Sequence, residues 1–294
     1  MVWVHGGYFK FGSGSVYDGR ILASKGGVIV VTINYRLGAL GFLSTDDSVT
    51  SGNQALLDQS LALKWVNRNI HRFGGNPRQV TLFGESAGGA SVSLHMFSPL
   101  SSGLFQGIIS QSGCALSPFA VKRPPHSLYV STRNLALKLG CPVLSSKIMV
   151  DCLRHKYAYE IVNIEAPDSR NVISFAPRVD GYFLHDVPEK ILQRGDYNRN
   201  VKVLTGYVRD ESSIFIPDDF DEQGGYNITQ SKHNSSITIP DGSNWNTFGE
   251  NKEYLLFKNS LELRKNPRNH TLAFWEHFNF LDFCANPDDP GNLV

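Results

Sequence analysis

Apolar and polar positions along the first half of the chain follow two alternating rhythms. Short β-branched runs at residues 2–4 and 28–34, bounded by glycines, predict strands. Residues 53–73 predict a helix, because Leu57, Leu61 and Trp65 recur every fourth position along one face, and Gly74-Gly75-Asn76-Pro77 stops it. Residues 80–83 predict a short buried strand, residues 87–97 a helix of small residues halted before Pro99, and residues 107–110 the next strand. Strand and helix signals in alternation are the pattern of an α/β protein with a largely parallel sheet. From 118 to 200 the pattern is mostly helical and irregular, and it returns to a strand at 201–205. Residues 218–246 are polar and turn-rich, with Gly224-Gly225 and Pro240-Asp241-Gly242, and predict an irregular loop. No internal repeat or long linker divides the chain, so residues 1–294 are expected to form one domain.

Composition narrows the classes of function. The 294 residues are 41% hydrophobic and 19% charged, as in ordinary globular proteins. No apolar run approaches the roughly 18 residues that a membrane-spanning helix needs. A net charge of +1 without basic or acidic blocks argues against nucleic acid or an anionic membrane as the main partner. Met1 leads straight into the strand-like Val2-Trp3-Val4, without a charged n-region, h-region or cleavage site. Met1 is therefore expected to be an internal methionine of a longer protein or an early gene-model start.

Of the four cysteines, Cys141 and Cys152 lie eleven positions apart. That spacing suits a locally closed bridge, contributing about 3 kcal/mol in the chain-entropy model, and equally suits two buried thiols. The acceptor sequons at Asn227, Asn234 and Asn269 favour a secreted glycoprotein and hence the bridge.

The candidate chemistry begins at Gly84-Glu85-Ser86-Ala87-Gly88. A G-x-S-x-G alone is a weak signal. Here an apolar strand precedes it and a small-residue helix follows, the context of a nucleophile elbow. In that turn the serine hydroxyl is lifted clear of the sheet, and the flanking glycines let strand and helix approach. The Ala87 N–H then falls at a helix N-terminus, where it can donate to an oxyanion. Upstream, His5-Gly6-Gly7-Tyr8-Phe9 follows a strand and can aim backbone N–H groups at the same oxygen. Glu211, after the strand at 201–205, stands in the right chain order for a triad acid, with Asp210 its adjacent rival.

Together these segments resemble the type-B carboxylesterase and cholinesterase-like family of α/β-hydrolases. The matching runs are VWVHGG, NYRLGALGFL, NQALLDQSLALKWVNRNIHRFGGNP, VTLFGESAGGASVSLHMFSP and LFQGIISQSG. Looser likeness continues through the Cys141–Cys152 segment, SFAPRVDG and TGYVRDES. The resemblance implies an α/β-hydrolase fold and hydrolysis of small carboxylic esters through an acyl-enzyme, without metal or cofactor. It implies Ser86 as nucleophile, Gly7, Tyr8 and Ala87 as oxyanion-hole donors, and Glu211 as triad acid. Glu85 matches a carboxylate beside the nucleophile, Ser112 a supporting hydroxyl near the acid, and Cys141 and Cys152 a family disulfide. Some members of the family are non-catalytic adhesion proteins, which gives the alternative reading.

Two departures from the family pattern stand out. Tyr8 takes the third place of an oxyanion loop that usually reads Gly-Gly-Gly or Gly-Gly-Ala, putting a phenol near the acyl pocket. The family's general-base histidine lies about twenty residues beyond a strand resembling residues 271–280, and no histidine stands in that segment here. His233, His270 and His277 follow Glu211 in order but not in the expected context, so no histidine is assigned as base. Without a base Ser86 keeps its proton and is a poor nucleophile.

Overall fold

The computed structural model describes residues 1–123, 127–164 and 174–208, together with the backbone of two strands at Glu253–Phe257 and Leu261–Lys265. The chain divides into two compact units, Met1–Thr205 and Gly206–Val294. The first holds a sheet of β1 (Val2–Val4), β2 (Val31–Thr32), β3 (Thr81–Glu85), β4 (Gly107–Gln111) and β5 (Lys202–Gly206), in the order β2-β1-β3-β4-β5. β1 pairs in parallel with both β2 and β3, and β3 in parallel with β4. Helices flank it: α1 (Arg20–Gly26), α2 (Gly38–Phe42), α3 (Gln54–Asn69), α4 (Ala87–Phe97), α5 (Leu128–Lys138), α6 (Ser146–Arg154), α7 (Ala158–Ile164) and α8 (Pro188–Arg194). This is the α/β architecture with a parallel sheet that the alternation of signals implied, and it agrees with the α/β-hydrolase fold that the resemblance implied. In the second unit β6 (Glu253–Phe257) and β7 (Leu261–Lys265) form an antiparallel pair, which the hydrophobic pattern did not suggest. The loop expected at 218–246 lies outside the described residues.

The sheet interior explains the strand lengths. β1 is buried along its whole length, as befits a strand paired on both sides and covered on both faces. β2 stands at one end of the strand order, and its ladder with β1 is two residues long, Val31 and Thr32 opposite Val2 and Trp3. Beside it Ile29 O accepts from the Met1 amino group (2.7 Å) and Ile33 N donates to Trp3 O (3.4 Å). Phe9, Phe42, Leu56, Leu82 and Leu94 are completely buried and join loop, helices and sheet in one core.

The helix expected at 53–73 is observed as α3 followed by a 3-10 turn at Ile70–Phe73, and of the face marked by Leu57, Leu61 and Trp65 only Leu57 packs against the core. Leu61 and Trp65 are 66% and 49% exposed, whereas Leu56, Gln59, Ser60, Leu63 and Val66 are buried. Polar residues sit on the inner face because their partners are inside too. The His95 ring bridges Ser101 Oγ (2.7 Å) and Gln59 Oε1 (3.0 Å), Gln59 Nε2 donates to Ser91 Oγ (3.3 Å), and the Ser60 and Ser101 hydroxyls meet at 3.2 Å. Each hydrogen bond offsets a desolvation cost that would otherwise exclude these side chains from the core.

Two ties hold distant segments to this core. Asn53, left-handed at the start of α3, donates from Nδ2 to Arg178 O (2.8 Å) and accepts from Arg178 N (2.9 Å). Cys141 and Cys152 form a disulfide that joins the segment after α5 to α6. Among the described residues, no helix is long and apolar enough to cross a membrane.

Candidate active site

Ser86 sits between the last residue of β3 and the first of α4 with φ 56° and ψ −122°, a conformation that an L-residue holds only where its surroundings enforce it. The surroundings are backbone. Ser86 N donates to Gln111 O (2.8 Å), at the end of β4, and Ala90 N to Ser86 O (2.9 Å). A Cβ on Gly84 would lie 2.6 Å from both Gly88 C and Val4 O, and one on Gly88 would overlap the Val4 carbonyl. The two glycines flanking the serine thus let β1, β3 and α4 close around it. A third, Gly89, lies equally tight against Gln111 O and Gly113 O. Ser110 Oγ lies between the Gly89 and Gly113 carbonyls and has one proton to donate to either. Ser112, at φ 50°, turns the chain so that Gly113 packs on the Ser86 carbonyl.

The loop after β1 packs against the same turn. A Cβ on Gly6 would stand 2.6 Å from Glu85 O, 2.9 Å from Glu85 Oε2 and 3.2 Å from Ser86 Cβ, so Gly6 has no room for a side chain. Gly7 (φ 103°), Tyr8 (φ 55°) and Phe9 (φ 61°) then run through the left-handed region. Gly7 O accepts from Lys10 N (2.9 Å) and Phe11 N (3.0 Å), and Phe9 O accepts from Gly38 N (2.7 Å). Phe9 is buried edge-on against Phe42, with ring centroids 5.2 Å apart, which anchors the loop in the core. Ala87 opens α4, so its N–H has no intrahelical acceptor and lies at the positive end of the helix dipole.

Tyr8 and Glu85 share one side of this turn. Partial burial raises the phenol pKa above its ordinary value, and the negative charge of Glu85 raises it further. Glu85 itself is exposed and Ser86 half-buried.

The described histidines are engaged elsewhere. His5 is buried, stacked on Tyr35 with centroids 4.4 Å apart, and its Nδ1–H donates to Gly6 O (2.8 Å). Its backbone carbonyl accepts from the Tyr35 hydroxyl (2.6 Å), and burial lowers the ring pKa. His95 is the centre of the buried network under α3 and α4, where burial drives its pKa down to about 3. His71, His155 and His185 are exposed, and His155 Nδ1 donates to Asp151 O (2.7 Å). Among the described residues no histidine hydrogen-bonds Ser86.

The structure therefore brings Ser86, Glu85, Gly7, Tyr8, Ala87 and Ser112 into one neighbourhood. Glu211 and the sequon asparagines Asn227, Asn234 and Asn269 lie outside the described residues. Sequence reasoning missed Ser110, Gly113 and Asn53, which hold the elbow and the start of α3. Only Asn53 carried a signal, as a helix-capping residue type directly before the periodic stretch.

A parallel sheet with helices around it and a serine on a strained strand-to-helix turn define an α/β-hydrolase. The model of the carboxylesterase family matches residues 1–241, and the chain belongs to that family. Human Neuroligin-3 is 45% identical over 229 residues, covering 78% of this chain and 26% of the relative. Mouse Cholinesterase is 46% identical over 223 residues, 74% of this chain and 37% of the relative. Acetylcholinesterase of Myxine glutinosa is 46% identical over 222 residues, covering 74% and 65%. The chain thus spans about a quarter of the neuroligin and just over a third of the mouse cholinesterase.

Proposed function

We propose that this protein is a serine esterase that cleaves small carboxylic esters through an acyl-enzyme on Ser86. The observation that carries the reading is the Ser86 turn itself, strained at φ 56° with Gly6 packed against its Cβ. A binding protein has no use for a serine held in this way. An ester carbonyl over Ser86 Oγ would place its oxygen toward the N–H groups of Gly7, Tyr8 and Ala87. Each such donor contributes about 3–4 kcal/mol to the transition state, because the charge it meets develops only there. Oγ attacks, the alcohol leaves, and water releases the acid in a second passage through the same hole. Glu211 serves as the triad acid, Glu85 as the carboxylate beside the nucleophile and Ser112 as a supporting hydroxyl. No described histidine hydrogen-bonds Ser86, so turnover requires a base from outside the described residues. The disulfide and the sequons support a secreted, glycosylated protein.

A non-catalytic adhesion protein is the second reading. Identity does not choose between the readings, since a cholinesterase stands at 46% and a neuroligin at 45%. The test is hydrolysis of p-nitrophenyl acetate by the whole chain and by its Ser86→Ala variant. Turnover that the variant loses by a factor of at least about 10³ is expected of a nucleophile. Equal rates in both proteins would leave the adhesion reading standing.

A further inference from the structure

Gly6 and Gly7 have no room for side chains: a Cβ on Gly6 would meet Glu85, and one on Gly7 would overlap the Phe11 carbonyl. Tyr8 is thus the first residue after these two glycines to carry a side chain. Its neighbour Phe9 is turned inward and fully buried, so it cannot face a substrate. Tyr8 is only half-buried, with the Phe11 ring beside it at a centroid distance of 5.9 Å. Gly6, two residues before Tyr8, packs directly on Ser86 Cβ and on the Glu85 carboxylate, so the chain carrying the ring leaves from the elbow itself. Both Tyr8 and Phe9 hold positive φ, a conformation costing about 1–2 kcal/mol for a residue other than glycine. Glycine would adopt this turn with less strain, so the fold does not call for a tyrosine here.

From this geometry we infer that Tyr8 is the specificity-determining residue of the site, its ring filling the space beside the ester carbonyl so that short acyl groups enter and long ones do not. The inference rests on the esterase reading for its substrate. The backbone N–H of Tyr8 is one of the proposed oxyanion donors. Its side chain therefore stands about one residue's reach from the carbonyl carbon, where the acyl chain must lie. The turn fixes where the side chain begins, and the Phe11 ring beside it narrows the room in which the phenol can turn. The size limit thus comes from the bulk of the ring. The hydroxyl is incidental to it.

The experiment compares the whole chain with its Tyr8→Gly and Tyr8→Phe variants on p-nitrophenyl acetate, butyrate and octanoate, which share one leaving group. All three proteins keep the backbone N–H at position 8, and Tyr8→Gly relieves positive φ, so the variant is expected to fold. The expected result is a rise of at least tenfold in the octanoate-to-acetate ratio of kcat/KM in Tyr8→Gly, with Tyr8→Phe keeping the ratio of the parent. An unchanged ratio in a Tyr8→Gly variant that hydrolyses acetate overturns the inference. Failure of the esterase reading is distinguished by binding of p-nitroacetanilide and its octanoyl homologue, measured by calorimetry with Ser86→Ala and with Ser86→Ala/Tyr8→Gly, which needs no chemistry. A tenfold gain in relative octanoyl affinity on removing the ring upholds the wall even in a protein that turns over no ester. Equal relative affinity, or no binding to either protein, overturns it.

Discussion

What Gly84 and Gly88 lack is space for any side chain. A methyl group on Gly84 would sit 2.6 Å from two backbone atoms that have nowhere to move, since both belong to the elements that frame Ser86. Gly84→Ala is therefore expected to cost about 1–3 kcal/mol, the usual range for overpacking, and to lower the melting temperature while also slowing Ser86 chemistry. Differential scanning fluorimetry beside an activity assay checks both. His95 gives a prediction of a different kind. Gln59 Oε1 can only accept, so the ring carries its proton on Nε2 and receives the Ser101 hydroxyl proton at Nδ1. Its pKa is pushed down to about 3 by burial, below the roughly 6.5 of an unfolded histidine. Between those values the unfolded chain binds a proton that the folded chain does not. The contribution is fully present above about pH 6.5 and is lost progressively as pH falls toward 3. Urea unfolding between pH 4.5 and 6.5 should show a slope shallower in His95→Gln than in the parent, by about 1.4 kcal/mol per pH unit at the acid end and about half that at pH 6.5. Equal slopes would mean that the ring is reached by water.

At the scale of elements, α4 begins and ends where its small residues and Pro99 indicated, β4 and β5 fall within a residue of their expected bounds, and β3 within two. These segments were legible because the punctuation around them is local: glycines, a proline and short β-branched runs. The inward face of α3 was not legible. Its apolar repeat runs from Leu57 at the edge of the core out to the exposed Leu61 and Trp65, and the side that packs is chosen by Gln59 and Ser60 finding His95 and Ser101 about forty residues on. No period within one helix records a partner on another. The elbow was legible as a motif, while the residues that hold it, Ser110 and Gly113, looked like ordinary strand and turn residues. The Cys141–Cys152 spacing allowed a bridge or two thiols, and the bridge is what the structure contains. Cys152→Ser is expected to lower stability by about 2–4 kcal/mol, since the loop is short and the disulfide acts chiefly on the unfolded chain. Denaturant titration of that variant beside the parent checks it. A change under about 0.5 kcal/mol would mean that the segment from α5 to α6 is held by packing alone.

For the molecule as a whole, membership of the carboxylesterase family rests on residues 1–241, and the site proposed here falls inside that stretch apart from nothing but its unassigned base. The secretory reading has its own consequence. Expressed through a eukaryotic secretory pathway, the chain should carry glycans at Asn227, Asn234 and Asn269, seen as a mass loss on treatment with an N-glycosidase. A product of unchanged mass would set that reading aside. The central claim, that Ser86 is an activated nucleophile, is tested most directly by treating the folded chain with a fluorophosphonate and locating the adduct by mass spectrometry. The account predicts a single adduct on Ser86 that is absent from Ser86→Ala. A folded chain that takes up no fluorophosphonate at Ser86 would contradict it.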